Sequence, residues 1–396
     1  MASQDTLRTI DTGKVSPLYD PKIRGIFFQV LLFVVLVGFI YWIIGNTVDN
    51  LQRANIASGF GFLGRRAGFD VSDALIPYSS DATIGRALVV GFLNTLLVSA
   101  LGIVTASILG FLVGIGRLST NWLIRKICMV YVEIFRNIPP LLVIFFWYMG
   151  VLSVLPQPRQ SIQMPLGMFL NSRGFYFPSF IWGEHAWLVA LAFAIAVALA
   201  IFVKVKATQR QMATGQRFPV LWTSIALIVG LPALAFLLAG LPLSFEVPKL
   251  STFNLIGGSQ LKPELLSLYL ALSFYTAAFI AEIVRAGVMG VPHGQSEAAH
   301  ALGLRPGTTL RLVVVPQALR IIIPPLTSQY LNLMKNSSLA VAVGYADLVA
   351  IGGTVLNQTG QAIEIVAIWM AVYLGLSLVV SLFMNWFNAK MALVER

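Results

Sequence analysis

The chain is poor in charge. Of its 396 residues only 11% are Asp, Glu, Lys or Arg, while 57% are hydrophobic; a soluble domain carries about 25% charged residues. That shortage excludes an ordinary water-covered surface and leaves a multispanning membrane protein. Cysteine is nearly absent: the single Cys128 excludes an internal disulfide and a thiolate metal cluster. Histidine is scarce, and His185, His293 and His300 show no helical pairing that points to a metal, so no metal site is expected. Acids are few, 16 against 27 basic residues, for a net charge of +11. In a membrane chain such a surplus reports sidedness, because Lys and Arg collect on the cytoplasmic side. No Gly-x-x-x-x-Gly-Lys-Ser/Thr loop occurs, so the chain is not expected to hydrolyse ATP and no catalytic residue is assigned.

What the sequence does have is long apolar runs. They are continuous rather than alternating, which favours helices over a barrel. We read an all-α polytopic protein with eight spans, near 26–45, 87–116, 127–152, 185–204, 219–240, 264–288, 324–346 and 363–387. The first run ends in Tyr41 and Trp42, as at an interface, and is longer than the apolar core of a cleaved signal, so it reads as a retained span. Starting from a cytoplasmic N-terminus, alternation places seventeen Lys and Arg inside and eight outside, among them Arg8, Lys14, Arg217 and Arg396 on the inside. Both termini are therefore expected in the cytoplasm. The outside segments 46–86, 153–184, 241–263 and 347–362 read as loops, with "GGTVLNQTG" (352–360) as a turn signal.

One stretch breaks the apolar pattern: "QSEAAHALGLRPGTTLRLVVVPQALRIIIPP", residues 295–325. Pro292 and Gly294 stop the preceding span. Ser296 is the candidate N-cap of a short helix over 297–302, with Glu297 in its first turn where the helix dipole favours an anion. Gly303 is placed to end it in a left-handed cap, and Pro306 prevents continuation. A second helix is expected from about 308, with Pro316 inside it and Pro324–Pro325 where the chain returns to the bilayer. A two-turn helix is marginal alone and implies a partner surface.

These residues resemble the signature loop of permease subunits of bacterial ATP-binding-cassette importers: Glu-Ala-Ala, three residues, Gly, nine residues, then Ile-x-Leu-Pro. Here Glu297, Ala298 and Ala299 are followed by Gly303 and by "VVVP" ending at Pro316, with Val in place of Ile and Leu. Further segments, "GFLNTLLVSALGI" (91–103), "YVEIFRNIPPLLVIF" (131–145), "YTAAFIAEIVRAGV" (275–288) and "KNSSLA" (335–340), are similar to the polar amino-acid subgroup of that family. The resemblance covers about 86–152 and 264–390, and the extra first span and central insert are similar to the larger subunits of general L-amino-acid and glutamate/glutamine/aspartate/asparagine importers.

The resemblance implies a type I importer permease fold in which residues 1–25 form a cytoplasmic tail and 26–86 a first helix and periplasmic loop. Residues 87–152 and 264–396 would be the permease core, 153–263 an insert with two extra transmembrane helices, and 289–323 the coupling loop. Glu297, Ala298, Ala299, Leu302, Gly303 and Pro316 would dock on a cytoplasmic ATPase dimer, which binds the ATP; no cofactor is expected in this chain. Other implied partners are a second permease subunit and a periplasmic amino-acid-binding protein, and the implied location is the bacterial inner membrane.

Charge inside a membrane needs a reason. Glu133 and Arg136, three residues apart, read as a structural ion pair. Glu282 stands three residues before Arg285, and two readings remain open: a structural pair, or a carboxylate facing a cavity that binds a substrate ammonium. Lys335 is set to pair with Glu282 or to meet a substrate carboxylate. Asn336, Ser337, Tyr275 and Thr276 complete the candidate substrate wall. Two rivals to the importer remain at this level: an ion-coupled secondary amino-acid transporter and a non-transporting membrane scaffold.

Overall fold

A computed structural model describes residues 21–53, 59–216, 218–251 and 254–391. Of the charges used above for sidedness, Arg8, Lys14, Arg217 and Arg396 lie outside the described residues, as does most of the N-terminal tail. Twelve helices are present among the described residues: α1 Pro21–Arg53, α2 Ile84–Arg117, α3 Trp122–Asn137, α4 Pro140–Phe145, α5 Ala186–Thr214, α6 Val220–Leu238, α7 Pro263–Met289, α8 His293–Ala301, α9 Pro306–Thr309, α10 Val315–Asn336, α11 Leu348–Thr359 and α12 Ala362–Met391. Seven helical stretches are long and apolar enough to cross a membrane: Ile23–Asn50, Ile84–Arg117, Ala186–Thr214, Val220–Leu238, Pro263–Met289, Pro306–Val343 and Ala362–Met391. An eighth crossing is the pair Trp122–Asn137 and Pro140–Leu152, bent by 112°.

That bend corrects the continuous third span expected over 127–152. Pro139 and Pro140 lack the N–H groups that would continue α3, and Ile138 is forced into an extended conformation, φ −104° and ψ 134°. The chain restarts as α4, then widens into a π-helical turn, Phe146–Leu152. Contacts elsewhere require that the broken pair still crosses the bilayer. Lys262 Nζ bonds the carbonyl of Ser72 at 2.5 Å and lies 3.2 Å from Asp73 Oδ1, so residues 73 and 262 share a side. Between them run α2, the broken pair, α5 and α6, an even number of crossings only if the broken pair counts as one.

The core forms around α2 and α7. Small residues on α2 let backbones approach. At Gly110 an added Cβ would lie 2.5 Å from Ile280 Cγ2, and at Gly114 2.8 Å from the Ala281 carbonyl. Gly287 of α7 does the same for α10, where Ile322 Cγ1 would be 2.3 Å away. Two hydroxyl pairs tie the helices laterally, Thr105 with Tyr269 at 2.7 Å and Ser107 with Tyr330 at 2.8 Å.

The outside segments are more ordered than loops. Those flanking α5 and α6 pair with one another as strands: β1 Ile162–Met164, β2 Met168–Asn171, β3 Gly174–Phe177, β4 Ser179–Trp182, β5 Leu243–Glu246, β6 Lys249–Leu250, β7 Leu255–Ile256 and β8 Ser259–Leu261. One antiparallel sheet runs β1-β2-β3-β8, and β4 pairs β5. Strands of two to four residues carry too little alternation to read, and their partners lie across the α5–α6 hairpin. Gly174, at φ +120°, admits the Leu261 carbonyl 2.1 Å from where a Cβ would sit, so only glycine closes β3 on β8. The stretch 352–360 is likewise not a turn. It is the body of α11, where Gly352 makes room for the Trp369 indole, 2.3 Å from an added Cβ, and the left-handed Gly360 ends the helix.

Where α11 begins, Asp347 is fully buried and caps the helix, accepting from the Ala350 N–H at 2.8 Å through Oδ1; Oδ2 has no partner among the described residues. Burial pushes this carboxyl up to about 6 from an ordinary 3.8. Its protonation therefore favours the folded state, fully below about 3.8, and that contribution is lost as pH rises through about 6. Asp347→Asn keeps the cap without the charge. Thermal unfolding of the purified protein is expected to show a melting temperature that falls from pH 4 to pH 7 in the native chain and not in the variant; parallel curves would refute the assignment.

Candidate functional site

Two arrangements stand out, one at the end of α7 and one beside the break between α3 and α4. The first is the loop that interrupts the apolar pattern. α8 starts earlier than expected, at His293 after Pro292. Ser296 is thus inside the helix and not its cap, and Glu297 is mid-helix, because Pro292 fixes the extended residue from which the first turn grows. The end is as the spacing predicts: Gly303 adopts φ +74°. Its N–H bonds the His300 carbonyl at 2.9 Å, and the Leu304 N–H reaches back to Ala299 at 3.1 Å, the paired bonds of a glycine-terminated helix. Glu297, Ala298, Leu302 and Gly303 are exposed while Ala299 is buried against the protein; Leu302 is 81% exposed. Gln317 Nε2 bonds Gln295 Oε1 at 3.2 Å, linking α10 to α8. Ahead of Pro316 the chain takes a π-helical turn, Leu310–Val314, which absorbs the bond the proline cannot make. Pro324 and Pro325 then lie within α10 rather than at its start.

The second is a cavity of about 240 Å³ lined by Pro140, Tyr275, Thr276, Phe279, Gln329, Asn332 and Asn336. Three of the residues expected in a substrate wall, Tyr275, Thr276 and Asn336, meet here. Gln329 and Asn332 were missed; they stand seven and four residues before Asn336, on the same face of α10, a spacing visible in the sequence. Ser337 is excluded from the cavity: it is buried and bonds the Met334 carbonyl at 2.7 Å. Lys335, next to Asn336, points to the other side and is exposed. A larger hollow of about 670 Å³ lies in the outer β-structure between Phe245 and Gly257. It is remote from the helix break and from α10, so the smaller cavity is the better candidate for a path through the core.

Below the cavity, Glu282 gathers arginines instead of Lys335. Its carboxylate accepts from Arg117 at the end of α2, and from Arg285 at 2.5 Å (Nη2 to Oε1) and 3.2 Å (Nε to Oε2). The expected pairing of Glu282 with Lys335 is thereby corrected: the arginines of α2 and α7 lie closer and saturate both oxygens. The Glu133–Arg136 pair is also corrected. Glu133 turns to Asn137 Nδ2, whose bond to its Oε2 is 3.4 Å, and Arg136 turns toward Glu282, 4.0 Å away. The side chains three residues apart diverge because α3 packs obliquely on α7, through Tyr131 OH to the Phe274 carbonyl at 2.6 Å.

The described residues hold no group of three or more His, Cys, Asp and Glu suited to a metal. What these two arrangements offer is therefore not bond chemistry. They offer a helix presented to a partner and a polar cavity beside a discontinuous span, the arrangement membrane proteins use to hold a polar solute.

Comparison with known proteins points the same way. Residues 206–393 match the family described as "Binding-protein-dependent transport system inner membrane component". The chain is 66% identical to the general L-amino acid transport system permease protein AapQ of Rhizobium johnstonii, over 96% of this chain and 95% of that protein. It is 54% identical to the putative amino-acid ABC transporter permease protein YhdX of Escherichia coli, over 95% and 96%. Against the glutamate/glutamine/aspartate/asparagine transport system permease protein BztB of Rhodobacter capsulatus the identity is 41%, with 96% of each covered.

Proposed function

Because this chain belongs to the inner-membrane permeases of binding-protein-dependent, ATP-binding-cassette transport systems, we propose that it moves amino acids inward across the bacterial inner membrane as one half of a permease pair. Its relatives carry amino-acid transport in their names, and its own cavity of amides and hydroxyls suits a small polar solute. The observation that carries the mechanism is α8: a nine-residue helix, ended by a tailored glycine cap, standing exposed at the end of the most buried span. We assign Glu297, Ala298, Leu302 and Gly303 to contact with a partner ATPase, with Ala299 and Pro316 holding the loop in place. Movement of α8 during ATP-driven closure would reach the cavity through α7, which carries both α8 and the wall residues Tyr275, Thr276 and Phe279.

The sides of the membrane follow from the same assignment. Eight crossings place both termini on the side that holds α8, so an ATPase bound at α8 fixes both termini in the cytoplasm and the β-structure in the periplasm, where a binding protein delivers the solute. Co-purification tests the whole: the tagged chain, expressed with its native partners, is expected to bring down an ATPase and a second permease, and the reconstituted complex to take up amino acids only with ATP. Gradient-driven uptake by the chain alone would overturn it.

A further inference from the structure

An amino acid brings a carboxylate and an ammonium into a cavity whose own lining is neutral. The polar wall residues, Tyr275, Thr276, Gln329, Asn332 and Asn336, supply donors and acceptors but no charge. Taking a carboxylate out of water without a counter-charge is costly, so the nearest available cation decides how the cavity meets it.

That cation is Arg136. Its guanidinium carbon lies 5.8 Å from the centre of the Phe279 ring, over a wall residue of the cavity. It occupies the last turn of α3, and Pro140, which follows the break, is itself a wall residue. It is also the one guanidinium of the Glu282 cluster with donors to spare. Arg117 and Arg285 are hydrogen-bonded to the carboxylate. Arg136 stands 4.0 Å from it, beyond hydrogen-bond range, and is 40% exposed against 12% for Arg117 and 29% for Arg285. Three guanidiniums around one carboxylate leave a surplus of positive charge, and Arg136 carries the part that is least held. A planar guanidinium resting on an aromatic face, with its fork unoccupied, matches a carboxylate bidentately.

We propose that Arg136 binds the substrate's α-carboxylate, turning from the rim of the Glu282 cluster into the cavity across Phe279. This rests on the reading of the cavity as the solute site. Glu282 then acts as a holder: it keeps Arg117 and Arg285 occupied, so that only Arg136 is free to answer the substrate. The carboxylate is common to all amino acids, so the contact serves a broad substrate range and excludes amines that lack one.

The test is a cycle between ligand and residue on the complete complex with its second permease and ATPase, held in lipid nanodiscs without binding protein. Binding of L-glutamate, L-glutamine and L-leucine is measured beside that of their α-carboxamides, for the native chain, Arg136→Gln and Arg136→Lys. The expected result is that Arg136→Gln weakens each amino acid at least tenfold and leaves its carboxamide within twofold, while Arg136→Lys recovers part of the loss. Equal weakening of acid and amide marks a structural role and overturns the proposal. Thr276→Val and Asn332→Ala separate the two readings. If they weaken binding and Arg136→Gln does not, the carboxylate assignment fails alone; if neither they nor Arg136→Gln change binding, or the native complex binds none of the three amino acids, the cavity reading fails and takes this one with it.

Discussion

Leu302→Asp is expected to abolish ATP-driven uptake while leaving the chain inserted and paired in the membrane. Leu302 is 81% exposed at the end of α8. Burying a leucine side chain at a contact is worth about 1.5–3 kcal/mol, and about 1.4 kcal/mol is tenfold in affinity. Removing that contact therefore weakens docking roughly ten- to a hundredfold, and an aspartate adds the cost of dehydrating a charge against the partner. Gly303→Pro should act as strongly by another route. Its N–H, bonded to the His300 carbonyl, disappears, and φ is driven from +74° to about −65°, which unwinds the helix end. Both are read by pull-down of the ATPase and by uptake in reconstituted vesicles, with Leu302→Met as the variant expected to behave like the native chain. Retained ATPase and normal uptake with Leu302→Asp would remove α8 as the docking element.

Gly110→Ala is expected to destabilise the folded permease more than any other single-methyl change on α2. The added Cβ falls 2.5 Å from Ile280 Cγ2 and 3.1 Å from the Ala277 carbonyl. One of these is backbone and cannot step aside, so α2 and α7 must separate. Overpacking of this kind costs about 1–3 kcal/mol, more than the helix propensity that alanine gains, about 1 kcal/mol. Gly230→Ala in α6 is the control: no atom lies within 4 Å of its Cβ, and the propensity gain stands alone. Thermal unfolding in detergent should show a loss of several degrees for the first and none for the second. Ile280→Ala on the Gly110→Ala background opens the space again and should recover part of the loss. Equal melting temperatures for both glycine variants would show that α2 and α7 are not held at the distance described.

The crossings were legible in the sequence because each is a run of apolar side chains long enough for a bilayer, and that signal is local. So was Gly303, whose place between a helix former and a proline leaves few conformations. The break after Asn137 was half legible. Two prolines announce a kink, but only packing against α7 sets a 112° turn. Residues 352–360 misled because glycine reads as a turn unless a large neighbour requires it, and Trp369 stands seventeen residues away from Gly352. The arginine cluster was hidden for the same reason. Spacing along one helix puts Arg136 beside Glu133 and Arg285 beside Glu282; it says nothing of Arg117, 165 residues from Glu282. Of the cavity, the residues of α7 and Asn336 were found by their polarity within apolar runs, whereas Pro140 joins them only through the fold.

The α5–α6 hairpin leaves the outer β-structure and returns to it, and β3 and β8 close its base like the neck of a loop of string. An ancestral gene acquiring such a segment would have kept every later span the right way up. A piece with an odd number of crossings would have turned α8 toward the outside and parted it from its ATPase at one stroke. The hairpin is thus the kind of addition that inheritance can accept whole, and its lipid-facing surface is free to drift while the helix at Glu297 is not.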